Sequence, residues 1–314
     1  MAAPNLSPKA SIKLLHTLRG HKGQIFDITW APHGLTLTSS SADGLIFNWD
    51  AISGKICRVF EGHTGEIHSL AWSSDEMLLA SGDTHYNIHL WDPATGKLIR
   101  KLVGHTGAVS HLVWSSNKNI LASSSEDTSI LIWDPERGNV VMSIDGHDEA
   151  VNSLAWSGEE FLLASGSDDN VICVWDVRDG RLLRTLRGHT DSVQSVCWSK
   201  DGRILASGSN DHTIILWDWY TGTIHSVLEG HTDGVHSVRF SQSKPVMASK
   251  SWDNTVRIWR TDNWECVAVF LESASRNGTP PPAFHPAGSV IATLGEEDTI
   301  VRIWRMNYQI LLGS

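Results

Sequence analysis

The sequence predicts an all-β fold, a seven-bladed β-propeller of four-stranded antiparallel blades whose ring is closed by the N-terminal strand. Two observations predict it. Trp49, Trp91, Trp133, Trp175, Trp217 and Trp259 stand 42 residues apart, and Trp304 follows after 45. A Gly-His dipeptide keeps the same interval at Gly20-His21, Gly62-His63, Gly104-His105, Gly146-His147, Gly188-His189 and Gly230-His231. A period this strict means one structural unit copied along the chain, and such a unit buries its apolar faces only by stacking on its neighbours.

The fifth unit shows what each copy contains. Arg181–Leu186 reads as a strand leading to Gly188-His189, and Ser192–Trp198 alternates as a second strand. Ser199–Arg203 is a turn, Ile204–Ser209 a third strand, Asn210-Asp211-His212 a tight turn and Thr213–Asp218 a fourth strand. Gly222 then suits a positive φ. Short strands rich in Val, Ile, Leu and Trp, separated by Gly, Asn, Asp and Ser, describe a β-meander. Four-stranded sheets with two apolar faces bury both by radial stacking, and closing the ring removes the free ends.

The count of units gives seven blades. Six are regular, and the seventh runs from about Cys266 to Trp304 without a Gly-His mark. Its stretch Glu272–Pro282 is polar and proline-rich and predicts a longer loop, followed by a shortened strand around Ala283–His285. Lys13–Leu18 precedes the first Gly-His at the offset of an outer strand. It is expected to pair with the seventh blade and remove the open edge. Residues 12–306 therefore read as the propeller, 1–11 as a disordered extension and 307–314 as a tail or the start of a linker.

The balance of 25 basic and 35 acidic residues, a net charge of -10, argues against nucleic acid or an anionic membrane as the main partner. No apolar run approaches a membrane span, and Met1–Ala10 lacks the apolar core of a signal peptide. Cys57, Cys173, Cys197 and Cys266 form no C-x-x-C pair, and the histidines show no metal-ligand spacing. We read a cytoplasmic protein with no cofactor and no metal.

With both dipeptide marks in place, the chain resembles the WD-repeat family of β-propellers over about residues 12–306. The resemblance implies a buried hydrogen-bonded tetrad of Trp, Ser or Thr, His and Asp in each blade. Five blades match in full: His21, Ser39, Asp43, Trp49; His105, Ser123, Asp127, Trp133; His147, Ser165, Asp169, Trp175; His189, Ser207, Asp211, Trp217; and His231, Ser249, Asp253, Trp259. In blade two His85 replaces the Asp beside His63, Ser81 and Trp91, so its network must be rewired, through Asp83 or water. Blade seven keeps Asp298 and Trp304 but has no His. These sets look like catalytic triads on paper. Their recurrence in blade after blade, with the Ser inside a strand, favours a structural role. Trp30, Trp72, Trp114, Trp156 and Trp198, continued by Phe240 and Phe284, read as interblade core.

Function is sought where equivalent positions vary. In propeller geometry one such series is Phe26, His68, Ser110, Asn152, Gln194 and His236. The other precedes the turn Asp: Ala42, Thr84, Glu126, Asp168, Asn210, Trp252 and Glu297. The resemblance implies that this top rim docks peptides and protein partners. The best partner-binding candidates are Phe26, His68, Glu126, Asp168, Asn210, His236 and Trp252, with His68 and His236 offering pH sensitivity near neutrality. Trp219, Tyr220 and Trp264 form a weaker candidate patch on the opposite face. The reading is a non-catalytic interaction scaffold for a protein or peptide partner. The alternative is a sensor or regulatory domain of a larger signalling protein, such as a kinase or nucleotide-binding switch protein, acting on another domain of the same polypeptide.

Overall fold

The computed structural model describes residues 12–116, 119–158, 161–272, 281–294 and 298–312. The extension 1–11, Glu297 and most of Glu272–Pro282 lie outside them. The described chain forms seven four-stranded antiparallel sheets. Blade one comprises Ile25–Trp30, Thr36–Ser41, Leu45–Asp50 and Ile56–Glu61, in that order from the inside outward. Blades two to six repeat this pattern, and blade six ends with Cys266–Leu271 as its outer strand.

Blade seven is assembled from both ends of the chain. Ala283–Phe284, Val290–Leu294 and Ile300–Met306 supply three strands, and Ile12–Arg19 completes the sheet against Ile300–Met306. The register runs from Ile12 opposite Met306 to Arg19 opposite Ile300. The last strand's free backbone groups are thereby paired, which removes the edge at which a ring would open. The apolar tail turns away into a short helix, Tyr308–Leu312, and buries Leu311. Arg260 Nη1 holds the Leu312 carbonyl at 3.1 Å.

Blades stack through their apolar faces. Leu162, Ala164 and Val174 of blade four pack with Val193, Val196 and Leu205 of blade five, and Leu216 of blade five packs with Val235 and Phe240 of blade six. Each such fully buried aliphatic contributes about 1.5–3 kcal/mol over exposure.

Two local devices recur. The tight turn after the second strand places Gly44, Tyr86, Thr128, Asn170, His212 and Asn254 at φ between 63° and 74°. A side chain at that φ is strained, and an aspartate holds the turn: Asp43, Asp127, Asp169, Asp211 and Asp253 each accept the backbone N–H two residues on, at 2.9–3.1 Å. The second device is a β-bulge near the start of each inner strand. The register slips between Ile25 and Asp27, Ile67 and Ser69, Val109 and His111, Val151 and Ser153, Val193 and Ser195, and Val235 and Ser237. A bulged residue leaves the ladder and its side chain is re-aimed.

Candidate functional site

The polar networks come first because they define what the rim is mounted on. In blade one, Trp49 donates to Ser39 Oγ at 2.8 Å, Ser39 Oγ lies 2.8 Å from His21 Nε2, and His21 Nδ1 lies 3.0 Å from Asp43 Oδ2. The Ser–His contacts of the sets containing His105, His147, His189 and His231 are 2.7–2.8 Å, and their His–Asp contacts are 2.7–3.0 Å. One proton order satisfies every member. The indole gives to the hydroxyl, the hydroxyl to Nε2, and Nδ1–H to the carboxylate. Burial opposes the charge on Asp43, yet hydrogen bonds from His21 and the Lys22 backbone hold its carboxyl down to about 2. Burial pushes the His105 and His231 imidazoles below their ordinary value. Ser39, Ser123, Ser165, Ser207 and Ser249 are fully buried.

The two irregular blades find different solutions. In blade two Asp83, at the position of Ser41 or Ser125, reaches His63 Nδ1 at 2.6 Å and also accepts the backbone N–H groups of His85 and Asn87. In blade seven Trp304 donates to Thr293 Oγ1 at 2.8 Å, and Thr293 donates in turn to Glu272. Glu272 stands where the other blades have histidine, and Lys250 of blade six lies 3.4 Å from its second oxygen. Neither Lys250 nor Glu272 was a sequence candidate.

At the top rim the bulges present Phe26, His68, Ser110, Asn152, Gln194 and His236, all half-buried, around the upper mouth of the central channel. Phe26 and His68 lie ring to ring at 4.3 Å. Asn152 donates to Asp168 Oδ1 at 2.7 Å, linking a bulge residue to a turn residue of its own blade. Glu126 and Asp168 are exposed. Asn210 is half-buried and its side-chain oxygen has no hydrogen-bond partner among the described residues. Trp252 is half-buried, lies over Gly234 with 6.1 Å between its ring and that of His236, and leaves its Nε1–H without an acceptor among the described residues. His236 departs from expectation. Burial, and then Lys250 nearby, push its imidazole well below the ordinary value, away from neutrality.

Below the rim the channel holds a cluster that sequence reasoning missed. In five of the six bulged strands the residue after the bulge ties one blade to the next. Asp27 accepts the Leu70 N–H at 2.7 Å, Ser69 that of Leu112 at 2.9 Å, Ser153 that of Val196 and Ser195 that of Val238, both at 3.2 Å. His111 takes this place in blade three, with Nδ1 at 3.2 Å from the Leu154 nitrogen. Arg239 crosses the channel to His111, bringing Nη2 to 3.2 Å from Nε2, and Nη1 also reaches Ser195 Oγ and the Val238 carbonyl. Burial raises Asp27 to about 7 against the pull of the Leu70 N–H and Arg239. Burial and then Arg239 lower His111 to about 3. Comparing the inner strands position by position would have exposed Arg239, which stands where other units have Thr29, Ala71, Val113, Ala155 and Cys197.

The aromatic ladder packs as interblade core. Trp30, Trp198 and Phe240 are buried, Trp72, Trp114, Trp156 and Phe284 are half-buried against the core clusters, and all seven also line a lower chamber of about 620 Å³. Trp114, Trp156 and Trp198 donate to carbonyls of the preceding blade, so each ring is fixed in direction. The outer patch is partly taken up in packing, with Trp219 and Tyr220 ring to ring at 4.3 Å. Trp219 is buried against Trp198 and donates to the Gly202 carbonyl, and Trp264 packs on Phe240. Tyr220 remains exposed. Among the described residues no group of His, Cys, Asp and Glu is arranged to hold a metal ion, and no helix is long and apolar enough to cross a membrane.

A family model described as WD domain, G-beta repeat matches residues 12–50, 54–92, 96–134, 138–176, 180–218 and 222–260. Protein HIRA homolog of Drosophila melanogaster is 44% identical over 41 residues, which are 13% of this chain and 4% of that protein. Protein SEH1 of Arabidopsis thaliana is 33% identical over 49 residues, 16% of this chain and 15% of that protein. The chain thus covers a small part of either relative's length. Its matched repeats take in well over half of its own residues, the structure adds a seventh blade joined from the two ends, and the chain therefore belongs to the WD-repeat family of β-propellers.

Proposed function

We propose that this propeller is a non-catalytic scaffold that binds a protein or peptide partner at the top rim. The observation that carries the reading is the bulge repeated in six inner strands, which takes Phe26, His68, Ser110, Asn152, Gln194 and His236 out of the ladder at one mouth of the channel. Natural bulges of this kind re-aim side chains at functional places. Two aromatic anchors, Phe26 and Trp252, flank the mouth, and exposed Glu126 and Asp168 lie on the same rim. Asn210, His68 and His236 add polar contacts between them. The partner that fits is an extended segment with an apolar anchor and basic or polar neighbours, one of whose carbonyls accepts the unpaired Trp252 Nε1–H.

The mechanism is rigid presentation. Tetrads fix the turns that carry Glu126, Asp168, Asn210 and Trp252, so little ordering entropy is lost on binding. We place the protein in the cytoplasm, a reading supported by its four free cysteines. The test is capture of a partner from host lysate by the wild-type chain beside a Phe26→Ala/Trp252→Ala variant of verified fold. Loss of a partner by the variant supports the rim, and equal capture by both rules it out as the docking surface.

A further inference from the structure

The channel is divided by a partition. Asp27, His111, Arg239 and Pro281 line both the small upper cavity of about 110 Å³ at the rim and the lower chamber of about 620 Å³. The lower chamber opens on the face opposite the rim, where the inner strands end in aromatics. It is walled by the half-buried rings of Trp72, Trp114 and Trp156, and Lys200 stands among its lining residues.

Two features of the partition point to a ligand. The first is charge. Arg239 is a permanent cation in a chain of net charge -10, and its hydrogen-bond contacts among the described residues go to Ser195 Oγ, the Val238 carbonyl and His111, none of them a carboxylate. Asp27, the acid of the partition, is attracted by Arg239 but makes no hydrogen bond to it, spends Oδ2 on the Leu70 N–H, and is held by burial at about 7, so it offsets only part of that charge at neutral pH. The second is proton bookkeeping. In the equivalent place Asp27, Ser69, Ser153 and Ser195 all accept an N–H of the next blade, and His111 Nδ1 faces the Leu154 N–H in the same way. A neutral imidazole accepting at Nδ1 carries its proton on Nε2. That proton faces the Arg239 guanidinium, which is a donor as well. Two donors facing each other call for an acceptor oxygen lodged against both, and a carboxylate supplies one with the charge that Arg239 lacks.

We propose that the lower chamber binds a carboxylate carried on a flat apolar body, the acid seated on Arg239 and the His111 Nε2–H and the body lying against the collar of Trp72, Trp114 and Trp156. The chamber's volume is in the range of small-molecule sites, and a few polar groups set among aromatic walls are their usual makeup. The site faces away from the rim and stands independently of the rim reading. The carboxylate belongs to a free small acid or to an acidic side chain of a docked chain.

The probe is sodium benzoate, with benzamide as the isosteric neutral control, followed through the assigned indole N–H resonances of Trp72, Trp114 and Trp156. Benzoate is expected to shift these resonances saturably with a roughly millimolar Kd, as suits so small a ligand. Benzamide should bind about tenfold more weakly, because it forfeits the charge-assisted bonds. Arg239→Met should abolish the preference for benzoate. His111→Ser, which restores the side chain of the neighbouring blades and keeps an acceptor for Leu154, should weaken benzoate several-fold with the fold intact. Competition by an N-acetylated, C-amidated tripeptide centred on aspartate would assign the carboxylate to a docked chain, and its absence to a free acid. Equal binding of benzoate and benzamide, unchanged benzoate binding by Arg239→Met, or no saturable shift at millimolar benzoate would overturn the proposal.

Discussion

Lys250 Nζ lies 3.4 Å from Glu272 Oε2 with neither side chain reaching solvent, and the pair joins blade six to the Thr293–Trp304 network of blade seven. A buried ion pair gives little net stability over an apolar substitute, but removing one partner strands the other charge. Lys250→Met is therefore expected to cost about 3–5 kcal/mol in urea unfolding, and Lys250→Met with Glu272→Leu to recover part of it. A double variant no more stable than the single one would show that the charges themselves are required.

The tetrads should respond as connected units. Ser207→Ala removes the acceptor for Trp217 and the donor for His189, leaving two buried polar groups unsatisfied. The expected cost is about 1–3 kcal/mol for each orphaned group. Arg203, in a turn of the same blade, is an exposed position whose replacement by Ala should change stability by under about 0.5 kcal/mol. Comparable losses from both substitutions would contradict the network's role.

Acid should destabilise the propeller in two stages. The His105 and His231 imidazoles are held below their ordinary value by burial, so the unfolded chain takes up protons first and stability declines as pH falls below about 6.5. The Asp43, Asp127, Asp211 and Asp253 carboxyls are lowered in the fold. Burial opposes that shift, and hydrogen bonds from histidines, hydroxyls and backbone N–H groups outweigh it. Their contribution is full above the unfolded value of about 4 and is lost as pH falls through the folded values. Urea midpoints measured between pH 7 and pH 3 should fall gently and then steeply, and a flat profile would contradict the assignment.

Ring closure is testable at one edge. A chain lacking Ile12–Arg19 leaves Ile300–Met306 unpaired on one side. It should unfold at lower temperature and associate with other copies through the open edge. An unchanged monomer would show that the tail or the neighbouring blade covers that strand.

What was legible in the sequence follows from repetition. Trp49 and its counterparts, the Gly-His marks and the strand that closes the ring are fixed by copies that confirm one another. Glu272 was hidden because it precedes its hydroxyl partner by 21 residues, whereas His21 precedes Ser39 by 18. Asp83 was visible as an option because it stands beside the missing position. His111 and Arg239 were hidden by context: each replaces a small residue in one blade, inside a strand whose pattern reads as core. Their meeting across 128 residues depends on the ring having closed. The rim was placed by the period, but the packing of Trp252 over Gly234 and the desolvation of His236 are matters of contact that spacing does not encode.

The central claim is that the tetrads carry the fold and the rim carries the binding. It is tested most directly by comparing Trp133→Ala with Phe26→Ala/Trp252→Ala, measuring urea stability and partner capture for each. Trp133 is fully buried, so its truncation should cost about 3–5 kcal/mol, while the rim variant should keep near wild-type stability and lose the partner. Equal loss of stability in both, or a rim variant that captures the partner as wild type does, would contradict the account.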